Sequence, residues 1–203
     1  MNNFYLKIPS LDTKFYTDYF LNEYIPKYDI LGKLTTDKEL YYRDFMLEEK
    51  YYAIEFLENT LKEEFKIPFK VDCVMLFYHT LFQHRIHIDK KNNTYRYASL
   101  NLPLIGFENT KMIFYQLKNL NDTYNNVTDA FYFNNNDVTP VSELDGKNEW
   151  VLVNSGIPHN IITTVNNPLP RITLCIRFKS NPKFEILANF LQNRIVKSQP
   201  PHT

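Results

Sequence analysis

Arg171-Ile172-Thr173-Leu174-Cys175-Ile176-Arg177-Phe178 alternates strictly between two kinds of side chain. On a β-strand side chains repeat every two residues, so Ile172, Leu174, Ile176 and Phe178 share an apolar face, while Arg171, Thr173, Cys175 and Arg177 share the other. A guanidinium and a hydroxyl on the inner face of a sheet are costly unless something there meets them. The stretch therefore reads as a strand whose interior receives an anion. Just upstream, Asn166-Asn167-Pro168-Leu169-Pro170 is a turn. Before that, Asn154-Ser155-Gly156-Ile157-Pro158-His159 runs from the end of one strand through a tight turn to a His at the start of the next.

Working outward, the same texture extends back to Phe69: short β-branched and aromatic runs punctuated by turn residues, the pattern of an antiparallel β unit. The expected strands are Val71 to Thr80, Tyr95 to Leu102, Lys111 to Leu117, Trp150 to Asn154, Asn160 to Val165 and Arg171 to Phe178. Between Leu117 and Glu149 the chain turns polar, with one aromatic knot at Phe131-Tyr132-Phe133; 118–149 is expected as an insertion, either a lid or a tolerated surface excursion. The first 68 residues read as helical. Asp12 or Thr13 caps a helix carrying Phe15, Tyr19 and Phe20. Thr36-Asp37-Lys38-Glu39 forms a capping box, and Tyr51, Ile54, Leu57, Leu61 and Phe65 form a stripe at helical spacing over 50–65. A last helix over 182–197 aligns Phe184, Leu187, Leu191 and Ile195, and the tail from Ser198, including His202, is expected to be disordered. The fold class is thus mainly β with flanking helices, in one domain spanning 1–203: a helical part over 1–68 packs on a β core over 69–178.

Length and composition agree. The chain has 203 residues, 44% of them hydrophobic, enough for one substantial core. With 23 basic and 23 acidic residues and no run of like charge, neither nucleic acid nor an anionic membrane is expected as partner. Cys73 and Cys175 lie in separate apolar runs, which excludes a zinc knuckle or a dense disulfide framework. The N-terminal residues lack the pattern of a signal peptide and no segment is apolar over a bilayer's thickness, so a cytoplasmic protein is expected. Asn-x-Thr matches at Asn92, Asn121 and Asn126 read as chance in an Asn-rich chain. That Asn, Lys, Ile, Tyr and Phe bias points to an AT-rich genome, as in many bacteria and phages.

The chemistry lies in His87-Ile88-Asp89 and the distant His159. On an extended segment His87 and Asp89 project from one face and can grip one ion together. Two His and one carboxylate leave half of an iron's coordination sphere open to substrate and oxygen. His-x-Asp alone has little specificity; it gains it from His159 and from Arg171 and Thr173 downstream. His84 lies off the face of His87 and reads either as a supporting partner or as solvent-exposed, and His79 as a hydrogen-bonded core residue. Ser99 and Asn101 read either as polar groups of the cavity or as the outward face of their strand, and Arg96 occupies the opposite face from both, so all three cannot point inward.

In this order, His-x-Asp, a distal His and an Arg-x-Thr on the following strand resemble the iron(II)- and 2-oxoglutarate-dependent dioxygenases of double-stranded β-helix fold. The resemblance covers roughly Phe69 to Phe178 and is strongest over His87 to Pro103 and Asn154 to Phe178. The first block is most similar to the aspartyl/asparaginyl β-hydroxylase-like group, which carries an Arg where Arg96 stands. The resemblance implies that His87, Asp89 and His159 bind Fe(II), and that Arg171, helped by Thr173, binds the distal carboxylate of 2-oxoglutarate. Arg96 would meet the other end of that cosubstrate or a substrate carboxylate. Arg177, at the far end of the strand, is expected as a salt-bridged surface group. The carboxylate at Asp89 favours an ordinary hydroxylase over variants lacking an acidic ligand.

The implied activity is oxidative decarboxylation of 2-oxoglutarate by molecular oxygen, coupled to hydroxylation of a small molecule, amino acid or peptide side chain. Two rivals remain at this stage: a cupin-like metal-dependent isomerase or epimerase, and a non-catalytic β-barrel binding or phage module.

Overall fold

The computed structural model describes residues 4–27, 45–46, 52–79, 85–91, 94–119, 125–127, 130–163 and 171–195. The strands, in chain order, are β1 (Tyr5–Lys7), β2 (Phe45–Met46), β3 (Val71–His79), β4 (His87–Lys91), β5 (Thr94–Tyr95), β6 (Ser99–Ile105), β7 (Thr110–Leu117), β8 (Asn125–Val127), β9 (Ala130–Tyr132), β10 (Val138–Asp145), β11 (Val151–Val153), β12 (His159–Thr163) and β13 (Arg171–Phe178). One antiparallel sheet has the order β1-β11-β6-β13-β3-β2 and the other β10-β7-β12-β4-β9-β8, with β5 paired to β4. From β3 onward the chain repeatedly crosses from one sheet to the other, so that strands distant in sequence become neighbours: β13 lies between β3 and β6, and β12 between β4 and β7. This is a double-stranded β-helix, mainly β with few helices, as the sequence led us to expect.

The alternation in β13 accounts for how the layers stack. Ile172, Leu174, Ile176 and Phe178 belong to the main apolar cluster, with Leu100, Leu102 and Leu104 of β6 and Leu152 of β11. The same cluster takes Tyr16 and Phe20 from the N-terminal helical segment, Leu57 and Leu61 from the helix Tyr52–Glu63, and Phe184, Leu187 and Leu191 from the helix Phe184–Ile195. The helices thus cover the outer face of one sheet. That releases the inner face from carrying the core, at about 1.5–3 kcal/mol for each large side chain buried outside it. The space between the sheets can therefore be polar.

Local signals match the helices. Asp12 Oδ1 accepts the Lys14 amide at 2.8 Å, ahead of the helix Lys14–Tyr19. Trp150, fully buried, stacks edge-on against Tyr16 and donates its indole N–H to the Asp12 carbonyl at 2.9 Å, tying this segment to the sheet. The capping box at Thr36 to Glu39, Tyr51, His84 and His202 lie outside the described residues.

Three expectations need correction. The polar stretch 118–149 has no strand among those expected from the sequence, yet it supplies β8, β9 and β10. β10 is an edge strand with only Val138 and Leu144 buried, so it never shows the full apolar alternation that marks a central strand. The strand expected from Tyr95 to Leu102 is broken at 96–98, because β5 pairs with β4 whereas β6 pairs with β13 in the other sheet. Asn181, at φ 45°, holds that crossing: it accepts the Tyr97 amide at 3.2 Å and donates to the Tyr95 carbonyl at 2.6 Å. Arg96 therefore lies off the strand, and the argument that placed it on the face opposite Asn101 does not apply. The short β1, β2 and β4 also had no strand assigned to them from the sequence.

Candidate metal centre

His87 and Asp89 lie on β4 with Ile88 between them turned outward into a small apolar cluster with Ile86, Phe131 and Phe133. β12 pairs with β4 so that His159 stands directly opposite His87, and their rings are 4.6 Å apart. One donor atom from each of His87, Asp89 and His159 lies within 4.8 Å of the others. Residues 72 positions apart meet because the two sheet-crossings place their strands side by side.

The histidines are set in the same manner. Nδ1 of His87 is 2.8 Å from the Arg85 carbonyl, and Nδ1 of His159 is 2.8 Å from the Ile157 carbonyl, in each case two residues back along the chain. A carbonyl only accepts, so Nδ1 carries a proton in each ring, and it is Nε2 that offers a lone pair to a ligand when the ring is neutral. Pro158 precedes His159, and Ile157 belongs to the turn that presents it. Opposite His159 on β7, Phe114 is fully buried and closes the floor with Phe4 and Tyr5.

Asp89 divides its two oxygens. Oδ1 lies 3.5 Å from His87 Nε2, and Oδ2 accepts a 2.7 Å hydrogen bond from Arg177 Nη2. Arg177 is 6% exposed: it is salt-bridged, as expected, but inside the fold and against the candidate metal ligand rather than at the surface. Sequence reading missed this role because its partner is 88 residues away; the signal available was that Arg177 shares the inner face of β13 with Arg171.

Electrostatics follow from this geometry. Burial opposes the charge on Asp89, but Arg177, and after it the two histidines, hold its carboxyl well below the usual carboxylate range. Burial disfavours the charged form of His87 too, but its hydrogen bond and attraction to Asp89 outweigh that and raise its pKa. His159 is pushed down to about 4 by burial and by the charge of His87. The cluster thus offers an ionised carboxylate and, at neutral pH, at least one neutral imidazole.

Farther along the same face of β13, Arg171 is half-buried with its Nε and Nη1 enclosed, and desolvation lowers its pKa to about 10. Its Nε and Nη1, together with Thr173 Oγ1 and Asn101 Oδ1, have no hydrogen-bond partner among the described residues. An unmet buried polar atom costs about 1–3 kcal/mol, so four on one sheet face call for a polar partner there. Arg96 is placed differently. Its Nη2 donates to Asp72 Oδ2 at 3.2 Å, its amide donates to the Asp89 carbonyl at 2.8 Å, and its own carbonyl accepts from Ser155 Oγ at 3.0 Å. It is tied to the segments on either side of the candidate centre, and its recorded side-chain partner is a carboxylate of the protein.

The donor set fits a first-row divalent metal. Two imidazoles have their Nε2 atoms available, one carboxylate oxygen is turned to them, and the second is already satisfied by a guanidinium, which favours a single-oxygen contact. The unmet donors of Arg171 and Thr173 fit a carboxylate in the same interior. No helix among the described residues is long and apolar enough to cross a membrane.

No family model matches the chain, and no curated protein sequence matches it. Among solved structures it is similar to HygX from Streptomyces hygroscopicus with nickel and 2-oxoglutarate bound, at 10% identity over 87% of this chain and 82% of that one, with a TM-score of 0.49. It is also similar to a Pseudomonas putida prolyl-4-hydroxylase, at 12% identity over 87% and 92% with a TM-score of 0.48. AviO1 from Streptomyces viridochromogenes matches at 16% identity over 87% and 89%, with a TM-score of 0.46.

Proposed function

We propose that this chain is an Fe(II)- and 2-oxoglutarate-dependent oxygenase that hydroxylates a small molecule, an amino acid or a peptide side chain. The observation that carries the reading is the juxtaposition, between two sheets, of a His-Asp-His donor set with a buried Arg and Thr whose polar atoms await a ligand. In this reading His87, Asp89 and His159 hold the iron, and Arg171 and Thr173 bind the distal carboxylate of 2-oxoglutarate. Iron bound there would supply the oxygen chemistry, coupling decarboxylation of the cosubstrate to oxidation of a carbon–hydrogen bond.

The chain's own residues do the rest. The Arg85 and Ile157 carbonyls fix the two imidazoles, so the ligands need not reorganise when the metal arrives. Arg177 neutralises the oxygen of Asp89 that the metal does not use. Arg171 offers parallel N–H groups to a carboxylate, a match that a Lys ammonium cannot make. Phe114, its ring 6.3 Å from that of His159, belongs to an apolar cluster with Val151 and Val153, which favours exclusion of water beside that ligand. Arg96 is assigned a supporting part, or contact with a substrate carboxylate once that displaces Asp72.

The test is anaerobic addition of Fe(II) and 2-oxoglutarate followed by oxygen. Metal binding, a visible charge-transfer band and succinate after oxygen are expected; absence of all three from the intact protein overturns the proposal. His159→Ala should abolish iron binding, and Arg171→Lys should mainly weaken 2-oxoglutarate. Iron binding that survives His159→Ala unaltered would show the ligand set to be wrong.

A further inference from the structure

The unmet polar atoms between the sheets are not confined to β13. Asn101 lies on β6, where Leu100, Leu102 and Leu104 face the helices, so by alternation Asn101 faces the interior with its Oδ1 buried and without a partner among the described residues. β6 pairs with β13 in a register that sets Asn101 opposite Cys175 and Pro103 opposite Thr173. The inner face of β13 is therefore a scale. Arg177 marks the metal end by its bond to Asp89, Arg171 marks the other end six residues away, and Asn101 stands beside the step next to Arg177. Each step of two residues is roughly 6.7 Å.

We propose that Asn101 is a positioning residue for the metal-proximal end of the dicarboxylate, donating a hydrogen bond from its amide nitrogen to the keto-acid carboxylate. This rests on the function proposed above. Asn101 stands opposite Cys175, one step from Thr173 toward Arg177, and a five-carbon dicarboxylate spans about one such step, so a ligand whose distal carboxylate meets Arg171 and Thr173 brings its keto-acid end to Asn101. A carboxylate accepts but does not donate, so the amide must turn its NH₂ inward; the two ends of an amide have nearly the same shape, and the turn needs no extra room. Thr173 and Arg171 would then hold one end of the ligand from β13 and Asn101 the other from β6. Two strands together fix its direction, where β13 alone fixes only its distal carboxylate.

Packing and ligand contact predict opposite orders for substitutions here. Aspartate is nearly isosteric with asparagine, so a packing role makes Asn101→Asp milder than Asn101→Ala; contact with a carboxylate makes it worse, because it removes the donor and adds like charge. The measurement is calorimetric titration of 2-oxoglutarate into Mn(II)-loaded protein, with Mn(II) affinity titrated separately. Asn101→Ala should weaken 2-oxoglutarate about tenfold, the worth of one hydrogen bond, and Asn101→Asp by on the order of another tenfold or more, with Mn(II) affinity within twofold of wild type in the Ala variant. Equal 2-oxoglutarate affinity in wild type and Asn101→Ala overturns the inference, as does an Asp variant that binds better than the Ala variant. Should Asn101→Asp fail to fold, Asn101→Ala and Asn101→Ser decide it, since Ser restores a donor and should recover part of the loss. Wild-type protein that binds no 2-oxoglutarate would overturn the proposed function itself; wild-type binding with an indifferent Asn101 overturns only this inference.

Discussion

At the scale of single residues, the pair that most constrains the candidate centre is Arg177 and Asp89. A carboxylate this enclosed would ordinarily drift toward its neutral form, and a neutral acid is a poor metal ligand. The guanidinium at 2.7 Å keeps it ionised and turns one oxygen away from the histidines. Removing one partner of a buried pair leaves the other uncompensated, which costs more than the pair contributes. Arg177→Met should therefore lower metal affinity about 10–100-fold, the usual penalty for losing a group that supports a metal ligand, and leave untouched the part proposed for Arg171. Mn(II) titration of the two proteins measures it, and unchanged affinity would mean that the bond to Asp89 has no bearing on the ligand. Arg177→Lys should recover only part, since a point charge replaces a planar fork. Neither Arg177's partner nor Arg96's could be read from the sequence: Asp89 and Asp72 are distant in the chain and become neighbours only through strand order. His87, Asp89 and His159 were legible as types in a pattern, because ligands on two adjacent strands need only the right residues at the right strand positions.

At the scale of elements, legibility followed burial. β13 is central, with an apolar face packed under helices and an inner face carrying Arg171, Thr173 and Arg177, so its two faces differ sharply and its bounds could be read to the residue. β10 lies at an edge with only two of its eight residues buried, and its polar run carried no comparable signal. The break between β5 and β6 was invisible for a different reason: switching sheets requires no Gly or Pro, only the side chain of Asn181 to hold the released carbonyl and amide. The N-terminal segment shows how helices become part of the core. Its docking depends on Trp150, which fills the space against Tyr16 and satisfies the Asp12 carbonyl. Trp150→Ala should cost about 3–5 kcal/mol by the cavity it leaves, and Trp150→Phe about 1–3 kcal/mol, mostly the unmet carbonyl. Urea melts monitored by far-ultraviolet circular dichroism check both. A Phe variant as damaged as the Ala variant would place the weight on the hydrogen bond instead of on volume.

For the molecule as a whole, unmet polar and titrating groups between two sheets are a liability to stability, and pH exposes it. In the metal-free protein His87 and Asp89 attract a first proton, whereas a second, at His159, is resisted by burial and by the charge already on His87. The sign follows from comparing folded and unfolded states. His159 has a folded pKa of about 4 against an unfolded value of about 6.5, so the unfolded chain binds more protons between these limits. Its contribution is fully present above about pH 6.5 and is lost as pH falls toward 4, to a total on the order of 3 kcal/mol. Asp89, whose folded pKa is depressed, adds a further loss below about pH 4. His87, with a raised folded pKa, acts the other way: its contribution is present below about pH 6.5 and is lost as pH rises through its folded value. Thermal melts of the metal-free protein should fall steeply between pH 6.5 and 4, and His159→Asn should flatten that slope by removing the buried titrating ring. A variant with the wild-type slope would assign the acid sensitivity to other groups. Metal should reshape the curve, because it demands both imidazoles neutral and must displace the proton of His87. The stabilisation by Mn(II) should then grow as pH rises from 6 to 8, by the free energy RT ln(1 + [L]/Kd) that a ligand of the folded state confers, and an Mn(II)-induced shift in melting temperature that is flat across that range would show that His87 carries no proton to displace.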